Sequence, residues 1–256
     1  MPSQNGAVAP PASNTTRSPV DELARSLRSQ MTPVDSRFSY FLIHQVPEDD
    51  HKAYFDEPVG ALPPAVRALL PSAGLVLAPY MEKAAGQSGP AVVFEKPSEA
   101  KLLLSHRIES PDFATLFFTA KDEQIADYHY FFFEQIAIIL ASRLPDAVEI
   151  AWNRLLREEL SAEVHGEVDE HSWRLKQSLL RRSMAARKDG KLFRDYARQS
   201  LIDTMTLYLH GICCDIDVES GPRQLPSRYM RKRLVTLKEH FPPPPDHAVF
   251  PEDVKG

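Results

Sequence analysis

Apolar residues in the first half of the chain fall in short runs that are bounded by Pro, Gly and Ser. Runs of this length that are rich in β-branched and aromatic residues predict strands. Four runs have this pattern: SRFSYFLIHQV from Ser36, GLVLAPYM from Gly74, AVVFEK from Ala91 and ATLFFTA from Ala114. Two further stretches predict short helices: LPPAVRALLP, bounded by prolines, and KPSEAKLLLSHR, with Ser98 as its N-cap.

In the second half the apolar positions recur with a helical period. The pattern predicts helices over 127–144, 146–184, 191–212 and 227–241, where four prolines end the last one. Gly166 leaves open whether 146–184 is one helix or two. We therefore expect an α+β fold, with a small N-terminal sheet of about four strands packed against a mainly helical C-terminal half.

Composition and local polarity set the domain limits. Residues 1–36 are rich in Pro, Ala and Ser at their start and lack a sustained apolar pattern, which predicts a disordered tail with at most a short helix in it. Residues 37–241 are expected to form one globular domain, strand-rich over 37–120 and helical over 121–241. Residues 242–256 are expected to be an extended, proline-rich tail.

Several classes of function lack their sequence signals. With only 10 Gly, the chain has no GxGxxG, P-loop or GxSxG motif, and the HExxH motif of zinc peptidases does not occur. A net charge of −5 gives no reason to expect nucleic acid as a partner. No apolar run has the length of a membrane helix, no secretory signal is recognisable, and the two cysteines are adjacent. We therefore expect a cytoplasmic protein with free thiols.

Charge is segregated along the helical half. Residues 144–171 hold eight acids and two bases, whereas residues 172–198 hold nine bases and two acids. Residues 222–238 add six bases and no acid. Such blocks most often pair with one another or lie in solvent. The alternative is that the basic helices 174–198 and 223–238 bind an acidic partner.

The heptapeptide HGEVDEH, residues 165–171, contains four metal-ligand types at alternate positions: His165, Glu167, Asp169 and His171. On a continuous helix these residues form two pairs that diverge by about 200°, so one ion cannot collect all four. In an extended segment all four would share one side. Helical patterns on both flanks favour the first interpretation, with Glu167 on a solvated face, and the metal site is kept as the second choice.

Two narrow polar strips interrupt helices that are otherwise apolar almost all round. Asp203 and His210 are seven residues apart on one helix, and Asp127 and Glu134 are seven apart on another, so each pair is aligned. If the strips face each other, they form a carboxylate and imidazole crevice that could hold a divalent metal or act on a water. If they face solvent or anchor arginines, no such site exists.

Three more residues carry possible chemistry. Cys213 and Cys214 follow His210 closely and are expected to close the helix as small core residues. A nucleophilic thiol, or a metal site shared with His210, is the alternative. His129 lies within the apolar side of its helix, which favours a buried histidine that is hydrogen-bonded to a carbonyl.

The sequence alone leaves two functional hypotheses. The first is a hydrolase-type enzyme, with a divalent metal as its possible cofactor, whose catalytic or ligating residues are Glu134, Asp203 and His210, with Asp127 in support. The second is a non-catalytic interaction protein that presents its basic helices to an acidic partner.

Overall fold

The computed structural model describes residues 17–83, 89–181, 190–214 and 223–250. Two compact units divide the chain: unit 1 comprises residues 1–48 and 72–124, and unit 2 comprises residues 49–71 and 125–256. Strands belong to unit 1 and most helices to unit 2, so the fold is α+β, as the sequence predicts. Residues 49–71 come from the strand-rich half of the sequence, but they belong to the helical unit.

Unit 1 contains two sheets. Its strands are β1 Arg17–Pro19, β2 Thr32–Pro33, β3 Phe38–Leu42, β4 Ser72–Ala78, β5 Tyr80–Glu82, β6 Ala91–Val93, β7 Ser105–Glu109 and β8 Phe113–Thr119. The larger sheet has the order β2-β3-β4-β8-β7, and β3, β4 and β8 run parallel at its centre. The smaller sheet, β1-β6-β5, is antiparallel. The central strands β4 and β8 are buried along almost their whole length, which explains their continuous apolar runs.

Three features of unit 1 differ from the sequence prediction. Residues 17–36, assigned to a disordered tail, form β1, helix α1 Val20–Leu27 and β2, because Val20 and Leu27 are buried in the core of the unit. The predicted helix after Ser98 is a turn, since Leu103 N donates to Met81 O and fixes this segment beside β5. The polar strand β7 was not predicted. Residues 1–16 and 251–256, also predicted as tails, lie outside the described residues.

Unit 2 is built from helices, and all except α2 overlap stretches that the sequence predicts to be helical. They are α2 Glu57–Gly60, α3 Pro64–Leu69, α4 Ile125–Leu140, α5 Asp146–Ser161, α6 Glu170–Leu180, α7 Lys191–Cys213 and α8 Ser227–His240. A π-helical turn, Lys52–Asp56, precedes α2. α4 packs along α7, and its buried face carries Phe132, Phe133 and Ile136. Within the described residues, none of these helices has the length and apolar character that crossing a membrane would require.

The chain leaves the helical conformation between α5 and α6, so the stretch 146–184 contains two helices and not one. Gly166 has φ +79°, and a Cβ at this position would lie 2.1 Å from the carbonyl oxygen of Gln224. Glu167 then pairs with the segment before α8, because Glu167 N donates to Arg223 O and Leu225 N donates to Glu167 O. Asp169 closes the gap as the N-cap of α6, where it accepts from His171 N at 2.9 Å.

The interruption places Glu167 inside unit 2, so its prediction as a member of a solvated face is wrong. Its carboxylate accepts from both Nη atoms of Arg233, at 2.7 and 2.9 Å, and from the hydroxyl of Tyr196 at 2.5 Å. Arg233 also donates to Glu159 at 2.6 Å, and Lys176 Nζ lies 3.2 Å from Glu167. Two acids and two bases are thus buried together with balanced charge, which is the condition for tolerating buried ions.

The same cluster contains an arginine of α8, within the basic helix 223–238 that the sequence offered to an acidic partner. Arg233 is fully buried, whereas its neighbours Arg231 and Lys232 are exposed. Lys232 pairs with Glu158 on the surface, and the guanidinium of Arg231 lies 4.3 Å from the ring of Phe250. One base of the predicted basic surface, Arg233, therefore forms ion pairs in the interior of unit 2. Residues 182–189, within the predicted basic helix 174–198, lie outside the described residues.

Candidate metal centre

Three side chains with ligand atoms converge at one end of the α4–α7 pair in unit 2. The ligand nitrogen of His129 and the sulfurs of Cys213 and Cys214 all lie within 4.8 Å of one another. Ligands at about 2.3 Å from an ion with tetrahedral angles are about 3.8 Å apart, so small side-chain movements would bring these three atoms onto one Zn²⁺-sized ion. Among the described residues this is the one group of three or more such side chains close enough to share an ion.

The end of α7 allows two adjacent cysteines to point at the same place. Consecutive side chains on a helix diverge by about 100°. Cys213 is the last residue of α7, whereas Cys214 has extended dihedral angles, φ −129° and ψ 146°. Because the backbone leaves the helix between them, both sulfurs can approach His129. Both thiols are free and half-buried.

His129 is held from both sides of its ring. Its Nε2 lies 2.7 Å from the carbonyl oxygen of Ala53, in the π-helical turn, and its Nδ1 lies 3.1 Å from Cys214 Sγ. A carbonyl oxygen only accepts, so Nε2 must carry a proton and donate it. The sequence-based prediction of a buried histidine bonded to a carbonyl is therefore met. The same bond directs the second nitrogen, Nδ1, toward the sulfurs, as in metal sites where a carbonyl orients a ligating histidine.

The electrostatics of the cluster favour one thiolate. A hydrogen bond from the Cys213 thiol, supported by contacts with His129 and His210, lowers the pKa of Cys214. The same hydrogen bond, together with burial, raises the pKa of Cys213. Burial by itself would lower the pKa of His129, but its bonds to Cys214 and Ala53 outweigh this, and the pKa is raised. The arrangement thus already stabilises negative charge at sulfur, the state in which cysteine ligates metals.

His210 lies beside this cluster, one helical turn before the cysteines. The ring is buried, with 8% of its surface exposed. It packs between two rings of α4, with centroids 5.9 Å from Phe133 and 6.2 Å from Tyr130. Its Nε2 is buried and has no hydrogen-bond partner among the described residues. His210 is not among the three side chains whose ligand atoms lie within 4.8 Å of one another, but its backbone carbonyl accepts from Cys214 N at 2.8 Å.

The carboxylates predicted for the same crevice lie further along α4 and α7. Asp203 is buried, its Oδ1 accepts from Gln199 at 2.7 Å, and burial raises its pKa to about 6. Burial raises the pKa of Tyr130, and the charges of Glu134, Asp169 and Asp203 add to this effect. The two carboxylates predicted for the crevice, Glu134 and Asp203, thus both act on this tyrosine. Neither Glu134 nor Asp203 joins the His129 cluster, and Asp127 is exposed at the start of α4.

The second-choice site, HGEVDEH, is divided between surface and interior. His165 and His171 are exposed, Glu167 is ion-paired inside the unit, and Asp169 caps α6. Among the described residues, the structure does not bring these four side chains into one cluster.

The short spacing of His210, Cys213 and Cys214 in the sequence indicated a possible metal site, but nothing in the sequence indicated that His129 lies beside the cysteines. His129 precedes Cys213 by 84 positions. Only the packing of α4 along α7 brings them together, and no local pattern reports that packing. The placement of His129 on the apolar side of α4 was visible, but a buried histidine by itself does not indicate a ligand.

Comparisons of the chain with protein-family models, with curated proteins and with solved structures give no match. The function of this chain must therefore be inferred from its own geometry.

Proposed function

We propose that this chain is a metal-binding protein and that His129, Cys213 and Cys214 bind one thiophilic divalent ion. The observation that carries the proposal is the convergence of three ligand atoms within 4.8 Å from two distant parts of the sequence. The hydrogen bond from His129 Nε2 to Ala53 supports it, because that bond leaves Nδ1 as the nitrogen available to the ion.

The donor set determines the class of ion. Two sulfurs and an imidazole nitrogen suit Zn²⁺ and other soft or borderline ions, whereas Mg²⁺ and Ca²⁺ require oxygen ligands. Thiolate ligands must also stay reduced. The cytoplasmic location expected from the sequence would meet that condition, since cytosolic thiols are kept reduced.

Whether the metal centre could support the hydrolase-type reaction suggested by the sequence depends on how many protein ligands bind the ion. Catalytic zinc sites have three protein ligands and one exchangeable position for water, whereas structural sites have four protein ligands. The coordination number of the bound ion therefore separates a hydrolytic centre from a structural one.

Metal analysis of the full chain, purified under reducing conditions and exposed to Zn²⁺, tests the proposal. We expect close to one Zn²⁺ per chain, and loss of that ion in His129→Ala and in Cys214→Ser. His171→Ala removes an exposed histidine of the same unit and should keep the metal. A stoichiometry near zero for the unmodified chain would overturn the proposal.

Alkylation of the thiols provides a measurement that needs no variant. Bound Zn²⁺ should slow the reaction of Cys213 and Cys214 with iodoacetamide, and a chelator should restore it, because a ligated sulfur is no longer a free nucleophile. Equal rates with and without Zn²⁺ would indicate a reactive thiol instead of a metal ligand.

A further inference from the structure

His210 is the candidate for a fourth ligand of the metal centre proposed above, on which this inference rests. It precedes Cys213 by three residues, a spacing that places the two side chains on one face of α7, and its carbonyl oxygen accepts from Cys214 N at 2.8 Å. Its ring nitrogens are not among the ligand atoms that lie within 4.8 Å of one another, so the imidazole would have to turn toward the sulfurs to bind the same ion. The sequence pattern HxxCC thus places three of the four side chains at the end of one helix.

The surroundings of His210 leave its Nε2 available to bind a ligand. The side chain is more than nine-tenths buried, and buried polar atoms in folded proteins are normally paired. Its Nε2 has no hydrogen-bond partner among the described residues. The aromatic rings of Tyr130 and Phe133 hold the imidazole from the α4 side without offering a bond to that nitrogen. A buried imidazole that has an unpaired nitrogen and adjoins two thiols in sequence is suited to coordinate an ion.

We infer that His210 completes a four-ligand centre of two sulfurs and two imidazoles, with His129, Cys213 and Cys214. This ligand set is that of a closed, tetrahedral Zn²⁺ site. The ion would fasten the end of α7 to α4, and through the bond from His129 to Ala53 it would also hold the π-helical turn. Its binding free energy would then contribute to the folding of unit 2, since the ligands converge only in the folded chain.

Co²⁺ titration of the full chain tests the inference, because tetrahedral Co²⁺ absorbs visible light much more strongly than five- or six-coordinate Co²⁺. We expect intense bands for the unmodified chain and for the control His171→Ala. In His210→Ala the bands should weaken and the affinity should fall more than 100-fold, given that loss of a mere supporting partner costs about 10- to 100-fold. Free imidazole should restore the intensity in His210→Ala by filling the vacated position.

A second measurement on the unmodified chain avoids dependence on the fold of the variant. Nitrogen NMR of labelled histidine distinguishes metal-bound from free imidazole nitrogens, and Zn²⁺ should shift two of the nine histidines. A shift of one histidine, or an unchanged spectrum and affinity in His210→Ala, would overturn the inference while leaving the three-ligand centre intact. Absence of any Co²⁺ or Zn²⁺ binding by the unmodified chain would instead refute the proposed function itself.

Discussion

Lys232 and Arg233 are neighbours on α8, and each donates to one of two neighbouring glutamates on α5. Lys232 Nζ lies 2.7 Å from Glu158, and both side chains are about half exposed, at 51% and 53%. Arg233 Nη2 lies 2.6 Å from Glu159, and these side chains are 0% and 1% exposed. The shortest distances in the two pairs are similar, but the pairs differ in burial, and Arg233 also donates to Glu167 and Ser200. Replacing each base by methionine compares a buried ion-pair network with a single exposed ion pair.

The expected magnitudes follow from what each replacement leaves behind. Arg233→Met leaves the carboxylates of Glu159 and Glu167 buried with Lys176 as the remaining base of the cluster, and removing one partner of a buried ion pair costs about 3–5 kcal/mol. Lys232→Met leaves a carboxylate that water can solvate, which costs about 0–1 kcal/mol. We therefore expect a large loss of unfolding free energy for the first variant and a small one for the second.

The pH dependence gives an internal check. Burial would raise the pKa of Glu167, but Arg233, Lys176 and Tyr196 outweigh it and lower the pKa from 4.5 to about 2. A carboxyl whose folded-state pKa is lowered stabilises the protein fully above its unfolded value, and that stability is lost as the pH falls through the folded value. The difference between the unmodified chain and Arg233→Met should accordingly shrink as the pH falls from about 5 toward 2.

Urea unfolding followed by tryptophan fluorescence is the appropriate assay. The chain has two tryptophans, Trp152 and Trp173, and both lie in unit 2, so their emission reports that unit. Circular dichroism of the same samples checks that the transition is cooperative. Similar losses in Arg233→Met and Lys232→Met, or a gain in the former, would refute the reasoning that the buried cluster depends on its arginine.

Two further predictions concern unit 2. Asp203→Asn should raise the unfolding free energy by up to about 3 kcal/mol at pH 8 and have little effect near pH 4. Burial raises the pKa of Asp203 from 3.8 to about 6, so its ionised form is unfavourable in the folded protein. Urea unfolding at both pH values checks this, and an equal gain at both would exclude ionisation of Asp203 as the cause. Gly166→Ala should lower the unfolding free energy by about 3 kcal/mol or more in the same assay. Alanine disfavours the positive φ at this position, and its Cβ would lie 2.1 Å from the carbonyl oxygen of Gln224. Gly60→Ala is the matched control, because a Cβ there has nothing within 4 Å, and an equal loss would contradict the steric argument.

Most helices were predictable because each has enough turns for its apolar period to stand out. The prediction of 191–212 differs from the observed α7, Lys191–Cys213, by one residue at its end. The polar strand β7, SHRIE, escaped prediction because it is an edge strand with one apolar residue and no fully buried position. The stretch after Ser98 looked helical by its capping residue, but pairing with the segment of β5 determined its path.

The candidate site likewise contains residues that local sequence spacing brings together and one residue that only tertiary packing brings to them. His210, Cys213 and Cys214 are close in sequence, and their helical spacing could be recognised directly. His129 could be placed only on an apolar face. Its proximity to the cysteines depends on the packing of α4 along α7, which involves contacts between residues about 80 positions apart.

The sequence by itself determined the α+β class, the main helices and central strands, and the local HxxCC pattern, because hydrophobic period and residue spacing are properties of neighbouring positions. Only the tertiary structure decided that Glu167 is buried, that Arg233 points inward and that His129 meets the cysteines. Charge and ligand chemistry depend on the distance between side chains in space. That distance is set by how helices pack, and a single sequence does not record it.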